Sequence, residues 1–328
     1  MRRREFIALV GGAAVALPSA VHGQRAKPVI AILGSGAAEA SSSRLQMSLL
    51  DAGMSELGLA QGQDYVFEAR WAGSDASRFS ELAAELLTSN PVAVVVSTNL
   101  AAIAVQKRSK IVPIVGTGLN APVATGLIAS LNRPGGNITG VSTMAEDVLL
   151  KLYEIMREAL PAVGTAMLMM NPTNPSNLLM ADLLKDQGKK DRIAILAASV
   201  SAPADLDAAF AQISRERPGA LFMLTDNSLF ALADTVVARA LELRVPTFGG
   251  FGGTFGQTGA LIAYSRDAQE AFRGVARLLK KILAGAAPGE LPFEQPTKFN
   301  LIVNLKTAKA LDIEIPPRLL ATAYEVIE

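Results

Sequence analysis

Six short segments hold the residues best suited to gripping a small molecule. They are Gly34-Ser35-Gly36, Ser97-Thr98-Asn99, Gly116-Thr117-Gly118, Asn171 with Thr173 and Asn174, Thr225-Asp226-Asn227, and Gly249-Gly250-Phe251. Hydroxyls and free backbone amides near helix N-termini hold a carboxylate without an arginine, because the helix dipole favours an anion there. A lone acid such as Asp226 can take an ammonium group. The polar residue types here are also the preferred helix N-caps, so any one position has a purely structural reading; recurrence across six segments is what points to a site. The expected ligand-binding set is Gly34, Ser35, Ser97, Thr98, Thr117, Gly118, Asn171, Asn174 and Asp226, with no catalytic residue and no metal ligand.

Two absences narrow any chemistry beyond binding. The chain has no Cys, and its one His is His22, inside a segment that reads as removable. That leaves no thiol nucleophile, no imidazole base for a hydrolytic triad, and neither of the residues that build most metal sites. Paired carboxylates could still serve a secreted glycosidase, but the segments above offer Asp226 and no obvious second acid. Gly34-Ser35-Gly36 lacks the third glycine of a dinucleotide fingerprint and no phosphate-loop motif occurs, so no nucleotide cofactor is expected. Removing residues 1–23 takes three arginines and one glutamate from 31 basic and 30 acidic residues, leaving a formal charge of −1. A protein that grips phosphates needs a net basic face, so nucleic acid is not an expected partner.

The elements that must position these segments follow from periodicity. A chain of 328 residues suggests about two domains, and a half-hydrophobic, aromatic-poor composition suits buried parallel strands under Ala/Leu-rich helices. From Pro28 onward, β-branched runs alternate with helical patterns, the signature of βαβ units. Strands are predicted at Val29–Leu33, Tyr65–Trp71, Val92–Ser97, Ile111–Val115 and Ile138–Val141, with helices over Arg44–Leu57 and from Asp75 to Leu87. The second half repeats the scheme, with one helix expected over Leu229–Leu243, a strand at Leu261–Tyr264 and a long amphipathic helix from Asp267 to Leu283. A Pro/Gly-rich stretch then leads to a strand at Leu301–Asn304 and a tail with a strand and helix of its own. The expected fold is α/β: two Rossmann-like lobes with parallel sheets joined by a hinge. Lobe 1 takes residues 28–141 plus about 265–295, and lobe 2 takes 142–264 plus about 300–328. Ligands in such sheets bind beyond the carboxyl ends of the strands, where the six segments fall. Gly249–Gly253 reads either as a lip over the cleft or as a plain loop, and Trp71 as packing at a lobe surface.

The first 23 residues differ from the rest. Arg2, Arg3 and Arg4 form a basic head, Phe6 to Leu17 an apolar run, and Val21 and Gly23 are small enough for signal-peptidase cleavage. The run is too short for a bilayer span of about 20 residues. Arg3-Arg4-Glu5-Phe6-Ile7 also resembles the twin-arginine export pattern, an ordinary Sec signal being the alternative. With no cysteine there is no disulfide and no lipid-anchored residue after the signal. The expected location is the periplasm, without a lipid anchor.

Two stretches carry a family resemblance: GLIASLNRPGGNITGV from Gly126 to Val141, and LPFEQPTKFNLIVNLKTAKALDIEIPPRLLATAYEVIE from Leu291 to Glu328. Over essentially the whole mature sequence the chain resembles the ABC-transporter substrate-binding family that includes tryptophan- and tyrosine-type uptake proteins. The resemblance implies a type I periplasmic-binding fold, capture of a small molecule between the lobes, and delivery to an inner-membrane permease driven by a separate ATPase. It implies no catalysis. A ligand-sensing subunit docking on a membrane receptor would share the same fold. The chain departs from the family at Ala121-Pro122-Val123, where an acid commonly precedes Pro-Val, at Gly259-Ala260-Leu261, and at Tyr324-Glu325 in place of an acidic pair. An aromatic or branched amino acid, or a related carboxylate, is the ligand class the resemblance implies.

Overall fold

The computed structural model describes residues 27–73, 75–250 and 253–328; the expected export signal lies outside them, as do Phe251 and Gly252 of the glycine-rich stretch. The first sheet is built from β1 (Val29–Gly34), β2 (Val66–Trp71), β3 (Ala93–Val96), β4 (Ile114–Leu119) and β5 (Ile138–Ser142). Between them run α1 (Ser41–Glu56), α2 (Phe79–Leu87) and α3 (Asn99–Arg108). All strands are parallel, in the order β2-β1-β3-β4-β5. Successive side chains of a strand point to opposite faces, so each strand feeds two cores. Ala31, Leu33, Val94 and Val96 pack under Leu82, Leu86 and Val105 of α2 and α3, while Ile30, Ile32, Val95 and Val115 face the other way.

The second half holds α4 (Ala145–Ala159), β6 (Thr165–Met170), α5 (Pro175–Asp191), β7 (Ala194–Ser199), α6 (Leu206–Glu216) and β8 (Ala220–Met223). It continues through α7 (Asn227–Ala231), α8 (Ala233–Glu242), β9 (Thr247–Gly249), α9 (Gly253–Gln257) and β10 (Ile262–Arg266). After α10 (Ala268–Leu283) come β11 (Phe299–Asn304), α11 (Leu305–Ala310), α12 (Pro317–Thr322) and β12 (Glu325–Ile327). The second sheet runs β12-β11-β10-β9-β8-β6-β7, with β11 antiparallel to β10 and the other pairings parallel. Its β7-β6-β8-β9-β10 portion repeats the strand order of the first sheet. The chain is thus two doubly wound α/β lobes, as the periodicity predicts.

Helix α10 follows a strand of the second sheet yet packs on the first. Phe272, Val275, Leu278, Leu279 and Ile282 are buried with Ile30, Ile32, Leu50 and Met54, on one stripe of the helix. At about 1.5–3 kcal/mol per large buried side chain, this face contributes on the order of 10 kcal/mol. The exposed pair that also ties α10 to α1, Arg273 to Glu56 at 2.7 and 2.8 Å, is screened by solvent and adds little. Packing therefore fixes α10 to the first sheet. The chain must then cross between sheets three times: after β5, after β10, and before β11.

The Gly126–Val141 motif forms the seam that receives the third crossing. Gly135 and Gly136 have φ of 69° and 59°, which side-chain-bearing residues rarely adopt. A Cβ on Gly289 would lie 2.5 Å from Gly136 O, so the returning chain passes against that turn. Asn137 donates to Ser109 O and Val112 O at 3.1 and 2.7 Å, and Thr139 Oγ1 donates to Leu291 O at 2.8 Å. Glu294 N donates to Gly140 O, and Ser142 N to Glu294 O, both at 2.9 Å.

Besides the helices α3 and α9, which the sequence reading does not include, three elements near the strand ends differ from the sequence-based expectation. Strand β4 continues to Leu119, so Gly116, Thr117 and Gly118 lie in the strand and not in the loop after it. The two glycines hide a strand from any pattern of β-branched residues, and the neighbouring strand packs tightly on the first of them: a Cβ on Gly140 of β5 would sit 2.5 Å from Gly116 O. The single helix expected over Leu229–Leu243 is two, α7 and α8, broken at Leu232, whose ψ of 2° departs from helix. Strand β9 is three residues long, too short to show alternation. Among the described residues no helix is long and apolar enough to cross a membrane.

Candidate functional site

In a sheet of order 2-1-3 the crossovers from the central strand leave in opposite directions, opening a crevice at the carboxyl edge. The first sheet opens between β1 and β3, the second between β6 and β8. Gly34 ends β1, Ser97 and Thr98 follow β3, Asn171 and Asn174 follow β6, and Asp226 follows β8. Gly34, Ser97 and Thr117 line one cavity with Met47 and Phe272. Gly34, Ser97, Thr98, Asn171, Asn174 and Asp226 thus fall at two switch points, one per lobe, while Thr117 and Gly118 lie within β4.

On the second lobe the residues are bound to one another. Asp226 Oδ1 accepts from Ser228 N at 2.9 Å, Leu229 N at 3.4 Å and Asn171 Nδ2 at 3.3 Å, and Oδ2 accepts from Asn174 Nδ2 at 2.8 Å. Asn174 caps α5, its Oδ1 accepting from Ser176 N at 3.1 Å and Ser176 Oγ at 2.9 Å. Asn171 Oδ1 accepts from Thr173 N and Oγ1 at 3.0 and 2.8 Å. Asn177 Nδ2 donates to Thr225 O at 3.2 Å, and Asn177 Oδ1 accepts from Asn171 N at 3.0 Å. This wall is rigid and largely satisfied, and in it Asp226 is a helix cap clamped by two amides.

The first lobe's wall is different. Thr98 caps α3 by accepting from Ala101 N at 3.1 Å, and Gly34 makes room for Trp71, whose ring carbons would lie 2.1 Å from a Cβ there. Ser35 is half-buried beside it. Ser97 Oγ, however, is buried without a hydrogen-bond partner. A Cβ on Gly118 would sit 2.9 Å from Ser97 O and 3.7 Å from Arg266 Nη2, so that glycine marks a close approach of three chain segments.

Two site residues are absent from the predicted set. Asn120 follows β4, with its amide reaching across the cleft: Nδ2 donates to Thr225 O at 3.3 Å, and Oδ1 accepts from Thr143 Oγ1 at 2.7 Å. Asn99 holds its backbone, donating to Asn120 O at 2.8 Å and accepting from Asn120 N at 2.9 Å. Arg266 ends β10 and donates through Nη2 to Thr117 O, while its Nη1 is buried without a partner. Burial pulls the Arg266 guanidinium down to about 10, so it stays charged at neutral pH. Extending β4 by four residues and β10 by two would place both residues at strand ends, the signal by which they could be found. Among the described residues no group of His, Cys, Asp and Glu is arranged to hold a metal ion.

Residues 36–327 match the family model described as ABC transporter substrate binding protein. A tyrosine-binding protein of Clostridioides difficile is 23% identical over 261 residues, spanning 80% of this chain and 74% of that protein. A conserved domain protein from Vibrio cholerae has a structure with a TM-score of 0.84 at 25% identity, covering 92% of this chain and all of that one. An ABC domain from Streptococcus pneumonia in complex with L-Trp gives a TM-score of 0.83 at 20% identity, with coverage of 92% and 100%.

Proposed function

Because the chain belongs to the ABC transporter substrate binding protein family, a family of binding proteins and not of enzymes, we propose that it is the exported capture component of an importer for an aromatic amino acid or a related carboxylate. In this reading residues 1–23 direct export, the mature chain works in the periplasm, and the closed, loaded form docks on a membrane permease served by a separate ATPase. The ligand sits between the switch points, touching Ser97, Thr117 and Gly118 of one lobe and Asn171, Asn174 and Asp226 of the other. The tyrosine-binding relative and the L-Trp complex support an aromatic amino acid.

The observation that carries the reading is the convergence of polar strand-end residues from both sheets across a cleft spanned by three chain crossings. Asn120 Nδ2 and Thr225 O meet there at 3.3 Å, a contact that opening about the crossings would break. A ligand touching both walls favours the closed arrangement by its differential affinity for it.

The test is a thermal-shift screen of amino acids, small carboxylates and neutral sugars, on protein recovered from a periplasmic fraction whose intact mass reports cleavage near Gln24. At 100 times its dissociation constant a ligand stabilises the native state by about 2.7 kcal/mol, raising Tm by a few degrees. L-Tryptophan or L-tyrosine should do so without being consumed. A flat response to every compound, or a mass that retains residues 1–20, rejects the corresponding part of the reading.

A further inference from the structure

We propose that Arg266 is the counter-ion for the ligand, so that the cleft selects solutes carrying a single carboxylate, which the guanidinium and the Ser97 hydroxyl take together. The proposal rests on the cleft being the binding site, and its first support is an imbalance of charge. No acidic side chain pairs with Arg266 among the described residues, and desolvation alone accounts for its lowered basicity. A half-buried guanidinium with an unpartnered buried nitrogen and no counter-charge is unfavourable. The fold nevertheless keeps one at the end of β10, where the chain leaves the second sheet.

The second support is a coincidence of orphans. Of the buried side-chain polar atoms of the described residues, three lack a hydrogen-bond partner, and two of these, Ser97 Oγ and Arg266 Nη1, belong to this corner. Nη2 is held by Thr117 O, which leaves Nη1 as a free donor. Gly118, flanked by Ser97 O and Nη2, keeps the corner clear of a side chain. One hydroxyl and one guanidinium nitrogen are two donors, the complement of a carboxylate.

The charge count also limits the ligand. One cation balances one negative charge, no second Lys or Arg of the described residues acts on Arg266, and Asp226 on the facing wall repels further anionic groups. A phosphate ester is disfavoured on those grounds. An amino acid fits with its carboxylate towards Arg266 and its ammonium towards Asp226.

The experiment compares L-tryptophan and L-tyrosine with tryptamine and tyramine, which lack only the carboxylate, by calorimetry on the wild type and Arg266→Gln. The wild type should bind each amine about 10- to 100-fold more weakly than its acid, the span expected for losing hydrogen bonds to a charged group. Arg266→Gln should weaken the acids by a similar factor and so narrow the gap between each acid and its amine, which a merely structural arginine, weakening both alike, would not do. Equal affinity of the wild type for acid and amine overturns the proposal, and that comparison decides even where the variant fails to fold. Unchanged acid affinity in folded Arg266→Gln overturns it as well. A ligand found only among neutral sugars sinks the proposal while leaving the binding function intact, whereas no ligand at all in the screen sinks the binding function itself.

Discussion

The four hydrogen bonds to Asp226 make Asp226→Asn an informative perturbation. Asparagine caps a helix about as well as aspartate, so the bonds from Ser228 N and Leu229 N to Oδ1 survive if the amide oxygen takes that position. The amide nitrogen then replaces Oδ2 and faces Asn174 Nδ2 across 2.8 Å, donor against donor. Asn174 cannot rotate to relieve this, because its Oδ1 is held by Ser176 N and Ser176 Oγ. Flipping the new amide instead would turn its nitrogen towards three donors. The loss is that of a hydrogen bond to a charged acceptor, about 1.5–3 kcal/mol. At about 2–4 °C per kcal/mol for a chain of this size, Tm of the ligand-free protein should fall by roughly 3–12 °C. Moving the charge back supplies the control. In the double variant Asn174→Asp with Asp226→Asn, one acceptor again meets one donor, and a carboxylate caps α5 as the amide did. Urea melts of the four proteins form a cycle whose coupling should exceed about 1 kcal/mol. If Asp226→Asn melts within a degree of wild type, or the double variant is as unstable as the sum of the singles, the clamp is not what the geometry says. The same variant reports on binding: Oδ2 has a single donor and can accept from a ligand ammonium, so affinity for L-tryptophan should also fall by about 10- to 100-fold.

Two further outcomes follow from packing and titration. Gly34→Ala puts a methyl 2.1 Å from the Trp71 ring, so the ring must move: stability should drop by about 1–3 kcal/mol and Trp71 emission should change, and an unaltered spectrum with an unaltered melt would count against the contact. Glu270 accepts from Thr297 Oγ1, Thr297 N and Lys298 N at 2.6, 3.1 and 2.8 Å, and these bonds, that from the Thr297 hydroxyl foremost, hold its carboxyl below the ordinary glutamate range. A carboxyl lowered by folding adds stability above its unfolded pKa and loses it as pH falls through the folded value; wild-type Tm should therefore decline more steeply below about pH 4.5 than that of Glu270→Gln, and parallel declines would exclude this clamp.

The lobes were legible because buried parallel strands read as β-branched runs and the helices between them as 3.6-residue stripes. The strand ends were less so. Gly116 and Gly118 carry no β signal, yet they belong to β4 because pairing with β5, Gly116 opposite Gly140 and Leu119 opposite Ser142, requires it. That requirement is tertiary, and ending the strand at Val115 moved Asn120 out of view. Arg266 was hidden by its charge. A strand-terminal arginine before an Asp-capped helix reads as a solvated turn, and only the folded chain reveals that it points at Thr117 and lacks an acid. Conversely, Thr98, Asn174 and Asp226 each satisfied both readings available to them: they stand at the cleft, and they cap α3, α5 and α7.

This double duty separates the two walls physically. On the second lobe, Asn171, Asn174, Asn177 and Asp226 satisfy one another and the backbone of Thr225, so their positions are set before any solute arrives. Little ordering entropy remains to be lost there on binding, which is the condition for a pre-organised wall. On the first lobe, Ser97 and Arg266 are left with unmet hydrogen-bonding capacity beside Gly118, and in the proposed reading the solute carboxylate supplies the missing acceptor. Affinity for the right functional group is then gained where the protein is least satisfied, and position is given where it is most satisfied. In the proposed reading closure joins the two through Asn120, whose side chain touches Thr225 O next to Asp226 and whose chain runs directly on from Thr117 and Gly118. The residue assigned to closure is thus three positions from the carbonyl that holds Arg266, and in that reading a carboxylate beside the guanidinium acts on the same short stretch of β4 that contacts the second lobe.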